Sequence, residues 1–145
     1  MNLDKSSIGI FDLERFVRAQ AGVYEQVCAE LRAGSKRSHW MWFIFPQIAG
    51  LGMSEMSVRF AIASLDEASA YLEHPLLGAR LRECTGIVNA LTHKTAEEVF
   101  GYPDDMKFRS SMTLFARAAE KDSLFQSALD KYFSGEMDAE TLKRI

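Results

Sequence analysis

His39, Trp40, Trp42 and Gln47 fall within one short stretch of the chain and are the first residues with types suited to chemistry. Indole faces stack on planar ligands, while an imidazole and a primary amide fix orientation by hydrogen bonding. The same residues also have an ordinary structural use, with the indoles in a core and His39 bonded to a backbone carbonyl. A second group, Lys107, Ser110 and Ser111, lies in the segment from Asp104 to Phe115. Lys107 and Ser111 are four residues apart and so share a helix face. Ser110 and Ser111 adjoin the apolar stripe of Phe108, Met112 and Phe115, where helix propensity favours alanine. Small hydroxyls in such a place bond across a helix contact or line a cavity, and a lysine facing that cavity suits a phosphate or carboxylate. An unsatisfied buried polar group costs about 1–3 kcal/mol. The two groups are therefore predicted to meet and enclose one polar-lined pocket.

Other features carry weaker chemistry. Gly50-Leu51-Gly52-Met53-Ser54 precedes a predicted helix, whose free amides favour an anion, but the pattern lacks the strand of a dinucleotide fold and the lysine of a P-loop, and a plain turn is the better account of the glycines. Asp105 and Arg109 have the spacing of a surface ion pair. Glu67 and Asp105 are the carboxylates that can activate water or stabilise a developing positive charge. No local signature of a nucleophilic triad is present. Cys28 and Cys84 stand apart from any CxxC or histidine cluster and read as small buried hydrophobes in a reducing compartment. Neither a metal nor a cofactor is called for. Arg32, Lys36 and Arg37 cluster near a predicted helix end, where cations complement the dipole and stay solvated.

The elements that position these residues are helical. Asp12 caps a short segment carrying Leu13, Phe16, Val17 and Gln20, and Gly22 interrupts it. Tyr24, Val27, Cys28 and Leu31 continue at helical spacing to Gly34. From His39 to Phe45 the apolar residues follow neither period, as expected of an element buried on all sides. A helix stopped by Pro46 is predicted there, with a strand as the alternative. Trp42 and Phe45 are placed in the core. Ser54 caps a further helix, Asp66-Glu67-Ala68 opens the next, and the His74-Pro75 step ends it. A long stripe runs from Leu76 to Leu91, and Thr95 with Glu98 forms a capping box. Met106 to Ala119 and Leu124 to Phe133 line two more helices, followed by a short one from Asp138 to Arg144. The predicted architecture is all-α, a single compact domain of six to eight short helices around an aromatic-rich central element. It spans residues 1–145, with residues 1–10 a loosely ordered N-terminus.

The bulk properties agree. A hydrophobic fraction of 48% and a charged fraction of 26% are ordinary for a soluble globular chain. A net charge of -3 argues against general nucleic-acid binding, which needs a basic face. The aromatic run is shorter than the roughly 20 residues of a membrane span. The first residues hold no apolar signal-peptide core, and a cytoplasmic location is expected. Nothing in the pattern specifies an oligomeric state.

The blocks His39-Trp40-Met41-Trp42-Phe43-Ile44-Phe45-Pro46-Gln47, with Gly50-Leu51-Gly52, and Ser110-Ser111-Met112-Thr113-Leu114-Phe115, with Lys107, resemble a mainly bacterial family. It is known as domain of unknown function eighteen-ten, and its members are sometimes labelled calpastatin. Arg15-Phe16, Glu30-Leu31, His74-Pro75, Phe100-Gly101 and Asp104-Asp105 extend the resemblance over nearly the whole chain. It implies an all-α single domain and no established activity. A fainter likeness, through Met112, Phe115, Leu124 and Leu129, points to the NADAR group of helical proteins associated with N-glycosidic bonds. Two functions follow. One is an enzyme or binder for a nucleotide-like or N-glycosidic small molecule, held by His39, Trp40, Trp42, Gln47, Lys107, Ser110 and Ser111. The other is a non-catalytic binding or interaction module in which the same blocks are the core.

Overall fold

A computed structural model describes residues 11–145, and the expectation for residues 1–10 lies outside the described residues. Among the described residues ten helices run in chain order. The first five are α1 (Glu14–Gln20), α2 (Tyr24–Arg32), α3 (Met41–Ile44), α4 (Glu55–Arg59) and α5 (Leu65–Glu73). They are followed by α6 (Leu77–Ala90), α7 (Ala96–Phe100), α8 (Asp104–Ala118), α9 (Leu124–Phe133) and α10 (Ala139–Lys143). The number exceeds the predicted six to eight because α3, α4, α7 and α10 are little more than single turns. Extended pairing among the described residues is confined to one parallel bridge between Ile48 and Ile62.

Local chemistry explains most boundaries. Ser54, Ser64 and Asp138 each accept the backbone N–H of the third residue of the following helix. Thr95 and Glu98 form the predicted reciprocal capping box on α7. Gly34 takes φ +68 just after α2, a conformation that favours glycine. The His74 Nδ1 accepts the amides of Leu76 and Leu77, so the residue that ends α5 also starts α6. Asp12 does not cap α1. Leu13 occupies that position without a side-chain bond, and the exposed Asp12 carboxylate lies 3.9 Å from Arg18 instead.

The aromatic run makes only one helical turn. Trp, Phe and Ile lose side-chain freedom in a helix, and Pro46 forbids its continuation. The chain then leaves α3 extended and docks on the segment after α4, where Ile62 N–H donates to Gln47 O at 2.8 Å and Ala49 N–H to Ile62 O at 2.8 Å. Phe45, fully buried, meets Phe108 and Phe100 edge-on at centroid distances of 5.0 and 5.9 Å. Phe108 in turn stacks on Phe100 at 4.6 Å. The core continues through Phe16, Tyr71, Phe115 and Phe125. Trp42, predicted as core, is only half-buried at its margin, because a single turn cannot point all four of its side chains inward.

Candidate functional site

The site grows from α3, the loop after it and the first turns of α8. Trp40 opens α3 and is 2% exposed. Its indole N–H donates to Glu30 Oε1 at 2.9 Å. That carboxylate also accepts the amides of Arg37 and Ser38, the Ser38 hydroxyl and the Gln26 amide. Burial alone would raise the Glu30 pKa, but the bonds from Ser38, Arg37, Trp40 and Gln26 outweigh it and hold the group down at about 2. Trp40 therefore has no face free for a ligand and is a core residue, contrary to the sequence expectation. His39, beside it, is exposed and makes no hydrogen bond among the described residues.

Trp42 faces two ways. On one side it lines a shallow concavity with Gln47, Leu51, Gly52, Ser57 and Phe60, which has room for little more than a water molecule. The far wall is pinned by Arg15, whose guanidinium donates to Ala61 O at 2.6 Å and Arg59 O at 2.9 Å and pairs with Glu67 at 3.1 Å. Glu67 also accepts the Ala63 amide at 2.7 Å and is buried. It is a structural anion and is not free to activate water. Gly52 is required here, since a Cβ would lie 2.6 Å from the Ser57 hydroxyl. The five-residue α4 is too short to offer an anion site, so the glycines serve this close approach.

On its other side Trp42 receives Lys107, whose Nζ lies 5.1 Å from the ring centroid. The two sequence blocks thus touch, although the concavity takes none of its lining from α8. Lys107 is 26% exposed and pairs with Asp104 Oδ1 at 3.3 Å. Asp104 Oδ2 pairs with Lys36 Nζ at 2.8 Å, and Lys36 stands over Trp40 at 5.2 Å. Two ammonium groups, each on an indole face, share a single carboxylate. Lys36 was expected to be solvated with Arg32 and Arg37. Its side chain is 8% exposed instead, because its backbone amide is tied to Val99 O at 2.7 Å and draws it inward.

The remaining candidates on α8 are turned to the protein. Ser110 donates back to Met106 O at 3.1 Å, within its own helix. Ser111 is fully buried one turn beyond Lys107, and its hydroxyl has no partner among the described residues. Asp105 accepts the Met106 amide. The predicted Asp105–Arg109 pair does not form, since Arg109 reaches Glu136 O at 2.9 Å and Met137 O at 3.2 Å. Glu30, Lys36 and Asp104 were missed as partners of the tryptophans. The available signal was the indole itself, because a buried Trp N–H requires an acceptor.

Four large apolar side chains are exposed among the described residues, namely Met53, Val58, Tyr102 and Met106. Met53 and Val58 directly follow Gly52 and Ser57 of the concavity. Tyr102 and Met106 lie within two residues of Asp104 and next to Lys107 respectively. No group of His, Cys, Asp or Glu among the described residues is arranged to hold a metal ion. Cys28 and Cys84 are both free and buried. Burial, partly offset by a bond to Tyr24, pushes the Cys84 thiol up to about 12, which leaves it unreactive at neutral pH.

An all-α domain with an aromatic core and an indole–ammonium face is the class that these features define, and no helix among the described residues is long and apolar enough to cross a membrane. The family model described as "Protein of unknown function (DUF1810)" matches residues 10–145, and the chain belongs to that family. It is similar to the conserved hypothetical protein Rv1873 from Mycobacterium tuberculosis, with 58% identity and a TM-score of 0.91. That match covers 92% of this chain and 95% of the other. No curated protein matches, and the likeness to the NADAR group finds no support in these comparisons.

Proposed function

We propose that this protein is a non-catalytic binding module whose two sequence blocks are chiefly core and whose Trp42–Lys107 face takes an anionic group of its ligand or partner. One observation carries the reading: Lys107 lies on the half-exposed Trp42 and shares with a second lysine the one carboxylate it pairs with among the described residues. Lys107 thus has only a share of the Asp104 carboxylate, and it is the more exposed of the two lysines. Among the described residues Met53, Val58, Tyr102 and Met106 are large apolar side chains left exposed, each within two residues in sequence of the concavity or of the Asp104–Lys107 pair. The concavity is too small to enclose a nucleotide, and no carboxylate lines it. The acids nominated for hydrolysis, Glu67 and Asp105, are bonded to backbone amides.

A nucleotide-like or N-glycosidic small molecule is the second reading, favoured by the same ammonium pair, which suits a phosphate. A thermal-shift series with nucleotides, ADP-ribose and flavin precursors, with the same mixtures assayed for products, tests both. A specific ligand at 100 times its dissociation constant adds about 2.7 kcal/mol to the unfolding free energy. Stabilisation that disappears in Lys107→Met without product formation supports the binding module. Release of a base from an N-glycoside supports the second reading. Stabilisation that survives Lys107→Met moves the site elsewhere.

A further inference from the structure

We infer that Asp104 is a built-in competitor for the ligand's anionic group, and that Lys36 is the positioning residue that holds this competitor back. The inference rests on the binding reading above. The Asp104 carboxylate is divided unequally. Its Oδ2 is 2.8 Å from Lys36, which is 8% exposed, and its Oδ1 is 3.3 Å from Lys107, which is 26% exposed. The shorter and drier contact is the stronger electrostatically. Lys36 cannot follow a ligand outward, because its amide is bonded to Val99 O and its ammonium sits on the buried Trp40. Lys107 stands in the first turns of α8 on a long flexible stem, with Trp42 beneath its ammonium. An incoming anion therefore exchanges with Oδ1 at Lys107 while Lys36 keeps Asp104 paired, so no buried charge is left alone.

The exchange leaves a negative charge next to the bound anion, and the repulsion grows with the anion's charge. Asp104 thus sets selectivity as well as affinity, by penalising multiply charged ligands more than a single carboxylate. For a unit charge at about 6 Å and an effective dielectric of about 40, removing Asp104 tightens binding about tenfold. The gain for inorganic pyrophosphate exceeds the gain for acetate. A purely structural ion pair predicts loss of stability and no gain in affinity.

The test is calorimetric titration with inorganic pyrophosphate, acetate and AMP at low salt. The proteins are wild type, Asp104→Asn, Lys107→Met and the double variant Lys36→Met with Asp104→Asn. The double variant removes the buried ammonium together with its counter-ion and so guards against misfolding. The expected result is tighter pyrophosphate binding in Asp104→Asn and in the double variant, a smaller gain for acetate, and loss of binding in Lys107→Met. Measurable wild-type binding that Asp104→Asn leaves unchanged or weakens overturns this inference and leaves the binding module standing. Failure of every protein to bind any of the three anions overturns both. Collapse of both Asp104 variants assigns the residue to the fold alone and overturns the inference as well.

Discussion

Replacing Glu30 with glutamine tests how the first sequence block is held. Five donors converge on this one carboxylate: the Gln26 amide at 2.9 Å, the Arg37 and Ser38 amides at 2.8 and 3.0 Å, the Ser38 hydroxyl at 2.6 Å and the Trp40 indole at 2.9 Å. A carboxylate accepts all of them. A glutamine amide presents two N–H donors of its own and clashes with at least one. Burial opposes ionisation, yet the bonds hold the group at about 2 against an ordinary 4.5. A depression of that size corresponds to about 3 kcal/mol of folding free energy at neutral pH. Because the folded-state value is depressed, this stability is fully present above 4.5 and is lost as the pH falls from 4.5 towards 2. Urea unfolding of wild type and Glu30→Gln should differ by about 3 kcal/mol at pH 7 and by roughly half of that or less at pH 3. A variant within about 1 kcal/mol of wild type at pH 7, or a gap that does not narrow on acidification, refutes the account of Glu30 as the anchor of Trp40.

Three further outcomes follow from packing. Phe45→Ala should cost about 3–5 kcal/mol, because the ring is fully buried between Phe100 and Phe108, whereas Trp42→Ala should cost clearly less; chemical denaturation that ranks them the other way contradicts the placement of Trp42 at the core margin. Ser111→Ala removes a fully buried hydroxyl that has no partner among the described residues, so it should be neutral or stabilising by up to about 1 kcal/mol, and a loss of more than that in the same assay shows a hidden partner. Gly78→Ala brings a Cβ to 2.0 Å from the Leu72 carbonyl oxygen, while a Cβ at Gly86 meets nothing within 4 Å; the first should lower the melting temperature strongly, and the second should raise it through about 0.5–1 kcal/mol of helix propensity.

The helical architecture was legible because each long helix repeats its apolar residues at the right spacing and starts or stops at a recognisable signal. Thr95 with Glu98, Gly34 and His74-Pro75 act within a few residues of themselves, so no tertiary information is needed to read them. The aromatic run was only partly legible. Its composition says that it is buried, but whether it makes one turn or three depends on where the chain must go next, and the Ile48–Ile62 bridge that receives it lies fourteen positions away in sequence. The site was the least legible part for the same reason. Lys36 looks like a solvated end-of-helix cation until Asp104, far along the chain, is brought to 2.8 Å from it. Glu30 looks like an ordinary helix-surface acid until the chain after α2 folds four further donors onto it beside Gln26 of its own helix. In both places a charged residue is pulled inward by an indole that needs covering or an N–H that needs an acceptor. The two tryptophans illustrate the difference between the readings. Trp40 found its acceptor in Glu30 and became core, whereas Trp42 was left at the margin with a lysine on its face. Only the three-dimensional pairing of charges with indoles separates the tryptophan that holds the fold from the one left at its margin.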